Sequence, residues 1–233
     1  MSGRSDEIAT RLAETRARIE AACVAADRDP AEVTLVAVTK FFPATDVRVL
    51  ADLGVTHVGE NRHQEAEAKA AECADLGLTW HFIGGLQSNK AAAVASYADV
   101  VESVDRTKLV PGLHRGADDR SQQVDVLLQV SLDPPGADGR SGAEPDQLAA
   151  LGTAVDDAPM LRLQGLMAVA PLGEDPATAF ERLAVVRREF LDAHPTATRL
   201  SAGMSGDLEQ AIAAGATHVR VGSAVLGSRP RLK

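Results

Sequence analysis

The chain has 233 residues, 45% of them hydrophobic but only 3% aromatic, so it can build a large core and must build it from aliphatic side chains. A formal net charge of −9 argues against a general nucleic-acid or anionic-membrane surface. Cys23 and Cys73 lie far apart without metal-ligand companions. Each falls in a helical pattern, and both read as reduced core thiols of a cytoplasmic protein. No apolar stretch is long enough for a membrane span, and the polar start is not that of a signal peptide. The basic end, Arg229 to Lys233, reads as a solvated tail.

In chain order, Ile8, Leu12, Ile19 and Cys23 share a helical face, with Ser5 or Asp6 as its cap. Thr34 to Thr39 is a short run rich in β-branched residues, and Pro43 soon follows it. Such a run predicts a buried parallel strand. Thereafter helix and strand alternate. Helices are predicted over 44–53, 63–75, 88–97, 107–115, 144–155, 176–193 and 207–214. Strands are predicted over 56–59, 79–83, 100–104, 123–130, 161–169, 198–200 and 218–221. Eight strands, each but the last clearly followed by a helix, imply an α/β fold with a parallel sheet and right-handed crossovers. A chain near 250 residues suits a closed (β/α)8 TIM barrel, one domain over 1–233 with an extra N-terminal helix. The alternative is an open doubly wound sheet, weakened because no Gly-x-Gly-x-x-Gly follows the first strand. The longest irregular segment, 133–142, follows a strand and is expected to lie over the active face as a loop or lid.

Chemistry in such a barrel gathers at the carboxyl ends of the strands. There the sequence places Lys40, Asn61, Ser201, Ser205, Arg220, Gly222 and Ser223. A desolvated lysine at a strand end can attack a carbonyl, whereas its bland alternative is a surface lysine that snorkels to water. The loops after strands seven and eight often bind phosphate. Ser201 and Ser205 supply hydroxyls, Gly203 and Gly206 allow close backbone approach, and Gly222 and Ser223 complete the expected cradle. The helix near Asp207 would add free N–H groups, although the Asp207 carboxylate opposes an anion unless it points away. The bland alternative is a Ser205 cap and turning glycines. A lysine facing a phosphate cradle on the opposite wall suits an aldehyde with a phosphate at its other end, and pyridoxal 5′-phosphate fits. Arg220 would then face the pyridine nitrogen, where a guanidinium cannot accept the ring proton and weakens the electron sink. Its bland alternative is a salt bridge in the barrel wall.

The markers, in order, are Leu35 to Lys40, Gly59-Glu60-Asn61, His81 to Lys90, Gly165 to Ala168, Leu200 to Glu209 and Val219 to Ser223. Together they resemble the pyridoxal phosphate homeostasis protein family, whose fold is like the barrel domain of alanine racemase. The resemblance covers nearly the whole chain. It implies a Schiff base at Lys40, phosphate contacts around Ser201, Ser205, Gly222 and Ser223, Asn61 near the cofactor and Arg220 at the ring nitrogen. Departures are modest: Thr39 stands where serine is usual, Ala202 where methionine is usual and Ser223 where threonine is common. Arg140-Ser141-Gly142 replaces a lysine–x–glycine run, which keeps a positive charge but not an amine.

Two function classes follow. A racemase-like enzyme needs a second acid/base on the other face of the ring; related racemases take it, a tyrosine, from a separate β domain. The chain ends ten residues after Ser223, and its one tyrosine, Tyr97, lies in a helical pattern away from the strand ends. The expectation is therefore a carrier that stores, shields or delivers pyridoxal phosphate, with PLP-dependent apo-enzymes as candidate recipients and no nucleic-acid, membrane or metal partner. A phosphosugar isomerase would use Glu60 as its base, which fits the lysine–arginine pairing poorly.

Overall fold

Eight parallel strands close into a barrel in a computed structural model that describes residues 2–134 and 141–228. The strands are β1 (Thr34–Val38), β2 (His57–Glu60), β3 (Thr79–Phe82), β4 (Val100–Val104), β5 (Val124–Gln129), β6 (Leu161–Met167), β7 (Arg199–Ser201) and β8 (His218–Val221). Each pairs with the next, and β8 returns to β1 in register from Thr34↔His218 to Ala37↔Val221. Closure leaves no strand edge open.

The helices are α1 (Ser2–Ala25), α2 (Ala44–Asp52), α3 (His63–Glu72), α4 (Ala91–Ala95), α5 (Val110–Asp119), α6 (Leu148–Asp156), α7 (Pro176–Ala193), α8 (Leu208–Ala213) and α9 (Ser223–Leu226). The segments predicted over 88–97 and 107–115 each open with a 3-10 turn before the helix proper. The short α9 after β8 was not expected from the sequence. Asp175 caps α7: its carboxylate accepts from the Thr178 N–H and Pro176 occupies the first turn. Ser5 and Asp6 do not cap α1, which already begins at Ser2.

The expected face of α1 is buried: Ile8, Leu12, Ile19 and Cys23 pack with Leu208 and Ile212 of α8 and Val219 and Val221 of β8. Arg4 ties α1 to Asp46 of α2 at 2.7 Å and to the Leu226 carbonyl at 3.0 Å, and Arg18 meets Glu209 at 2.8 Å. Thus α1 covers the outside of the β8–β1 seam and braces the segments that follow β7 and β8. Cys23 and Cys73 are both buried and free. Among the described residues, no helix is long and apolar enough to cross a membrane.

Candidate cofactor-binding site

The carboxyl ends of the strands surround a cavity of about 610 Å³. β1 runs out at Val38, and the chain turns at once: Phe42 N–H donates to the Thr39 carbonyl at 3.0 Å, with Lys40 and Phe41 between them. Lys40 lines the cavity from this turn. Asn61 lines it just after β2, and its Oδ1 is buried without a hydrogen-bond partner. Gly84 lets the chain after β3 pass against Asn61, since a Cβ there would lie 2.1 Å from the Asn61 carbonyl oxygen. Ser205 and Gly206 enter from the loop after β7, and Gly222 and Ser223 from the end of β8. Ser205 Oγ accepts from the Ser223 hydroxyl and from the Ala224 N–H, both at 3.2 Å, which draws the two loops together. The loop after β7 turns at Gly203, whose φ of +88° favours glycine, and a Cβ there would meet that of Ala211 at 2.6 Å.

Arg220 forms part of the cavity wall while being almost wholly buried. Its Nη1 donates to Ser201 Oγ at 2.8 Å and its Nη2 to the Ala168 carbonyl at 2.9 Å. Behind it a hydrogen-bonded series crosses the barrel interior. Ser201 Oγ donates to Glu102 Oε2 at 2.6 Å, and Glu102 Oε1 lies 2.6 Å from His81 Nδ1. His81 Nε2 in turn lies 2.9 Å from His57 Nδ1. A carboxylate only accepts, so the proton between them sits on His81 Nδ1. Burial pushes the Glu102 carboxyl up, but His81, Arg220 and Ser201 together outweigh it and hold the group at about 2. Burial alone dominates His57 and His218, each lowered to about 4. It also lowers Arg220, against the pull of Glu102; a guanidinium keeps its charge in proteins all the same.

Six of the seven expected site residues therefore line one cavity: Lys40, Asn61, Ser205, Arg220, Gly222 and Ser223. Ser201 does not. Its side chain points inward beneath Arg220, and its oxygen is occupied by Arg220 and Glu102 rather than offered to a ligand. The expected opposite walls also need correction, because closure makes β8 the neighbour of β1 and lays Gly222 against Val38. Asp207, the counter-signal, turns away to accept from the Met204 N–H at 2.5 Å. Glu60 does not line the cavity, and its Oε1 accepts from Thr39 Oγ1 and Lys69 Nζ, both at 2.6 Å. Ser141 lines the cavity and its carbonyl accepts from Gln129 Nε2 at 2.5 Å, so the described end of the predicted lid does reach the site. The rest of that loop, with Arg140, and the tail from Arg229 lie outside the described residues. Tyr97 follows α4, away from the cavity lining, and stacks on His63 with ring centroids 5.8 Å apart.

Glu102 and His57 escaped the sequence reading, and His81 entered it only within a marker run. The available signal was a charged residue in the middle of a valine-rich strand, Val100 to Val104.

The family model for the alanine racemase N-terminal domain matches residues 12–230. A pyridoxal phosphate homeostasis protein of Mycobacterium leprae is 41% identical, over 96% of this chain and 93% of its own. That of Escherichia coli K12 is 39% identical over 96% and 97%. The chain belongs to the pyridoxal phosphate homeostasis protein family. Among solved structures, PipY of Synechococcus elongatus with PLP bound is 37% identical, covers 94% of this chain and 100% of its own, and superposes with a TM-score of 0.81. Alanine racemase of Corynebacterium glutamicum, at 19% identity and a TM-score of 0.65, shares the fold. This chain covers 63% of that racemase.

Proposed function

We propose that this chain binds pyridoxal 5′-phosphate in the cavity at the carboxyl ends of its strands and serves PLP homeostasis as a carrier, with Lys40 holding the cofactor as a Schiff base. The observation that carries the reading is the meeting, in one cavity, of Lys40, the guanidinium of Arg220 and the paired hydroxyls of Ser205 and Ser223. The donor set fits the group: an amine for an aldehyde, hydroxyls beside open glycine backbone for a phosphate, and an unpartnered buried acceptor on Asn61. The names of the relatives and the PLP-bound PipY structure support the same ligand.

Bound pyridoxal phosphate supplies an aldehyde that condenses reversibly with amines, so it can be held and later surrendered. The chain's own residues do the holding. Lys40 provides the amine. Ser205, Gly206, Gly222 and Ser223 form the candidate phosphate cradle, and a short helix after β8 is a usual companion of phosphate sites in such barrels. Arg220, locked by Ser201 and the Ala168 carbonyl, presents a permanent positive charge that cannot take up a ring proton.

The carrier reading, rather than the racemase one, rests on the lining. Among the described residues, its ionisable groups are Lys40 and Arg220, with no tyrosine, histidine or carboxylate to act as a second base. Borohydride reduction of the loaded protein followed by peptide mapping tests the ligand assignment. The pyridoxyl label is expected on Lys40, and label mainly on Lys69 or Lys90 would reject it. Incubation with L- and D-alanine in deuterated water tests the carrier reading. Multiple-turnover racemisation at about 1 per second or faster would restore the enzyme.

A further inference from the structure

Lys40 sits in a strained turn. The turn runs from Thr39 to Phe42, and Phe41, its third residue, has φ of +70°. That position normally takes glycine or asparagine, and a bulky side chain there is held only if its surroundings impose it. The surroundings are an ion cluster. Lys69, one turn along α3 from Glu65, has its ammonium 2.8 Å from Glu65 Oε1 and 2.6 Å from Glu60 Oε1. The same ammonium donates to the Thr39 carbonyl at 2.7 Å, and Glu65 Oε1 accepts from the Phe41 N–H at 2.6 Å. Thr39 is fixed a second time through its hydroxyl, which donates to Glu60 Oε1. Lys69 is 7% exposed and Glu60 1%.

We propose that the Glu60–Lys69–Glu65 cluster is a clamp that aims Lys40, by fixing the peptide groups on either side of it. The inference rests on the covalent role proposed for Lys40 and names the residues that position it. The carbonyl before Lys40 and the N–H after it both end on groups of α3, so the lysine's main chain cannot rotate without breaking charged hydrogen bonds. Apolar packing of equal volume would serve stability at least as well as a buried lysine between two carboxylates. What it could not do is hold one carbonyl and one N–H at set positions around a reactive amine. Lys69, Glu60 and Glu65 do not line the cavity, so they are positioning residues.

The test uses Glu65, the least buried member. Glu65→Ala removes the acceptor for the Phe41 N–H, whereas Glu65→Gln keeps an acceptor oxygen. Two ligands separate aim from binding: pyridoxal 5′-phosphate, which must react with Lys40, and pyridoxamine 5′-phosphate, which has the ring and phosphate but no aldehyde. The clamp predicts that Glu65→Ala slows capture of pyridoxal phosphate at least about 10-fold. Its affinity for pyridoxamine phosphate should stay within about 2-fold, and Glu65→Gln should recover most of the rate. Capture at the parent rate in Glu65→Ala would overturn the clamp, as would equal losses for both ligands, which mark general loosening. Amide exchange needs no ligand: the Phe41 N–H should exchange at least about 10-fold faster in Glu65→Ala than in the parent chain. Unchanged protection there sinks the clamp. A parent chain that protects Phe41 but never captures pyridoxal phosphate sinks the cofactor reading instead.

Discussion

The two sides of the barrel sheet are built from different chemistry. Between the sheet and its surrounding helices the packing is apolar and largely aliphatic, as around Leu113, Leu128, Leu151 and Leu166. Inside the barrel, where branched aliphatic layers are usual, an apolar cluster of Val100, Leu127 and Met167 shares the space with His57, His81, Glu102, Ser201 and Arg220. Glu102 and Ser201 come from β4 and β7, which are not neighbours, so their hydrogen bond crosses the interior. The difference teaches that the outer layer carries stability by area removed from water. The inner one costs desolvation and is tolerable only because each charge has partners. It sets the electrostatics of the cavity floor.

Substitutions on the two sides should therefore fail differently. The largest effect is expected at the mouth. Ser205→Ala with Ser223→Ala removes two hydroxyls from the proposed phosphate cradle and should weaken cofactor binding by roughly 3–6 kcal/mol, with the denaturation midpoint little changed. An unchanged dissociation constant in that double variant would put the phosphate elsewhere. Next comes Glu102→Ala, which strands the buried Arg220 and His81. A stability loss of about 3–5 kcal/mol in urea denaturation is expected, with cofactor retention falling as Arg220 loses its backing. If retention holds, the inner network is structural only. Leu113→Ala, at a side chain with 0% exposure, should cost about 2–5 kcal/mol while leaving the affinity of the folded protein intact.

Acid should separate the two sides as well. His57 and His218 are lowered to about 4 from an ordinary 6.5, so between those values the unfolded chain binds protons that the folded one does not. Stability then rises with pH in that window and is lost on acidification from 6.5 towards 4. Glu102, held at about 2 against an ordinary 4.5, adds a second loss as pH falls from 4.5 towards 2. The aliphatic layer does not titrate. In a pH series of denaturation curves, His218→Gln should flatten the upper window by up to about one proton of linkage; an unaltered slope would show that His218 does not titrate with folding. The smallest effect is expected outside both layers, at Leu172, which is 91% exposed. Leu172→Ser should stay within about 0.5 kcal/mol, and a larger loss in urea denaturation would reveal a contact made by that side chain.

Particular residues show why some of this was legible in advance. Lys40, Asn61 and Ser223 stand at strand ends, and a parallel barrel sends all such ends to one face, so element boundaries alone placed them together. Ser201 misled because it belongs to the last residue of β7 and not to the loop beyond it. A strand alternates its side chains between the two faces of the sheet, and that position turns into the barrel beneath Arg220. Lys69 reads in the sequence as one more charge on an alanine- and glutamate-rich helix; its burial appears only when α3 packs beneath the Lys40 turn.

The sequence by itself determined the alternation of strands and helices, the aliphatic outer layer and the face of α1. These are periodic signals carried within ten or twenty residues, and the hydrophobic effect that reads them is proportional to area and blind to partner identity. Only the tertiary structure decided that Gly222 lies against Val38, that Glu102 finds Ser201 across 99 residues of chain, and that Lys69 reaches the Thr39 carbonyl. Hydrogen bonds and ion pairs act over a few ångströms and demand specific geometry. Their partners exist only once the barrel has closed.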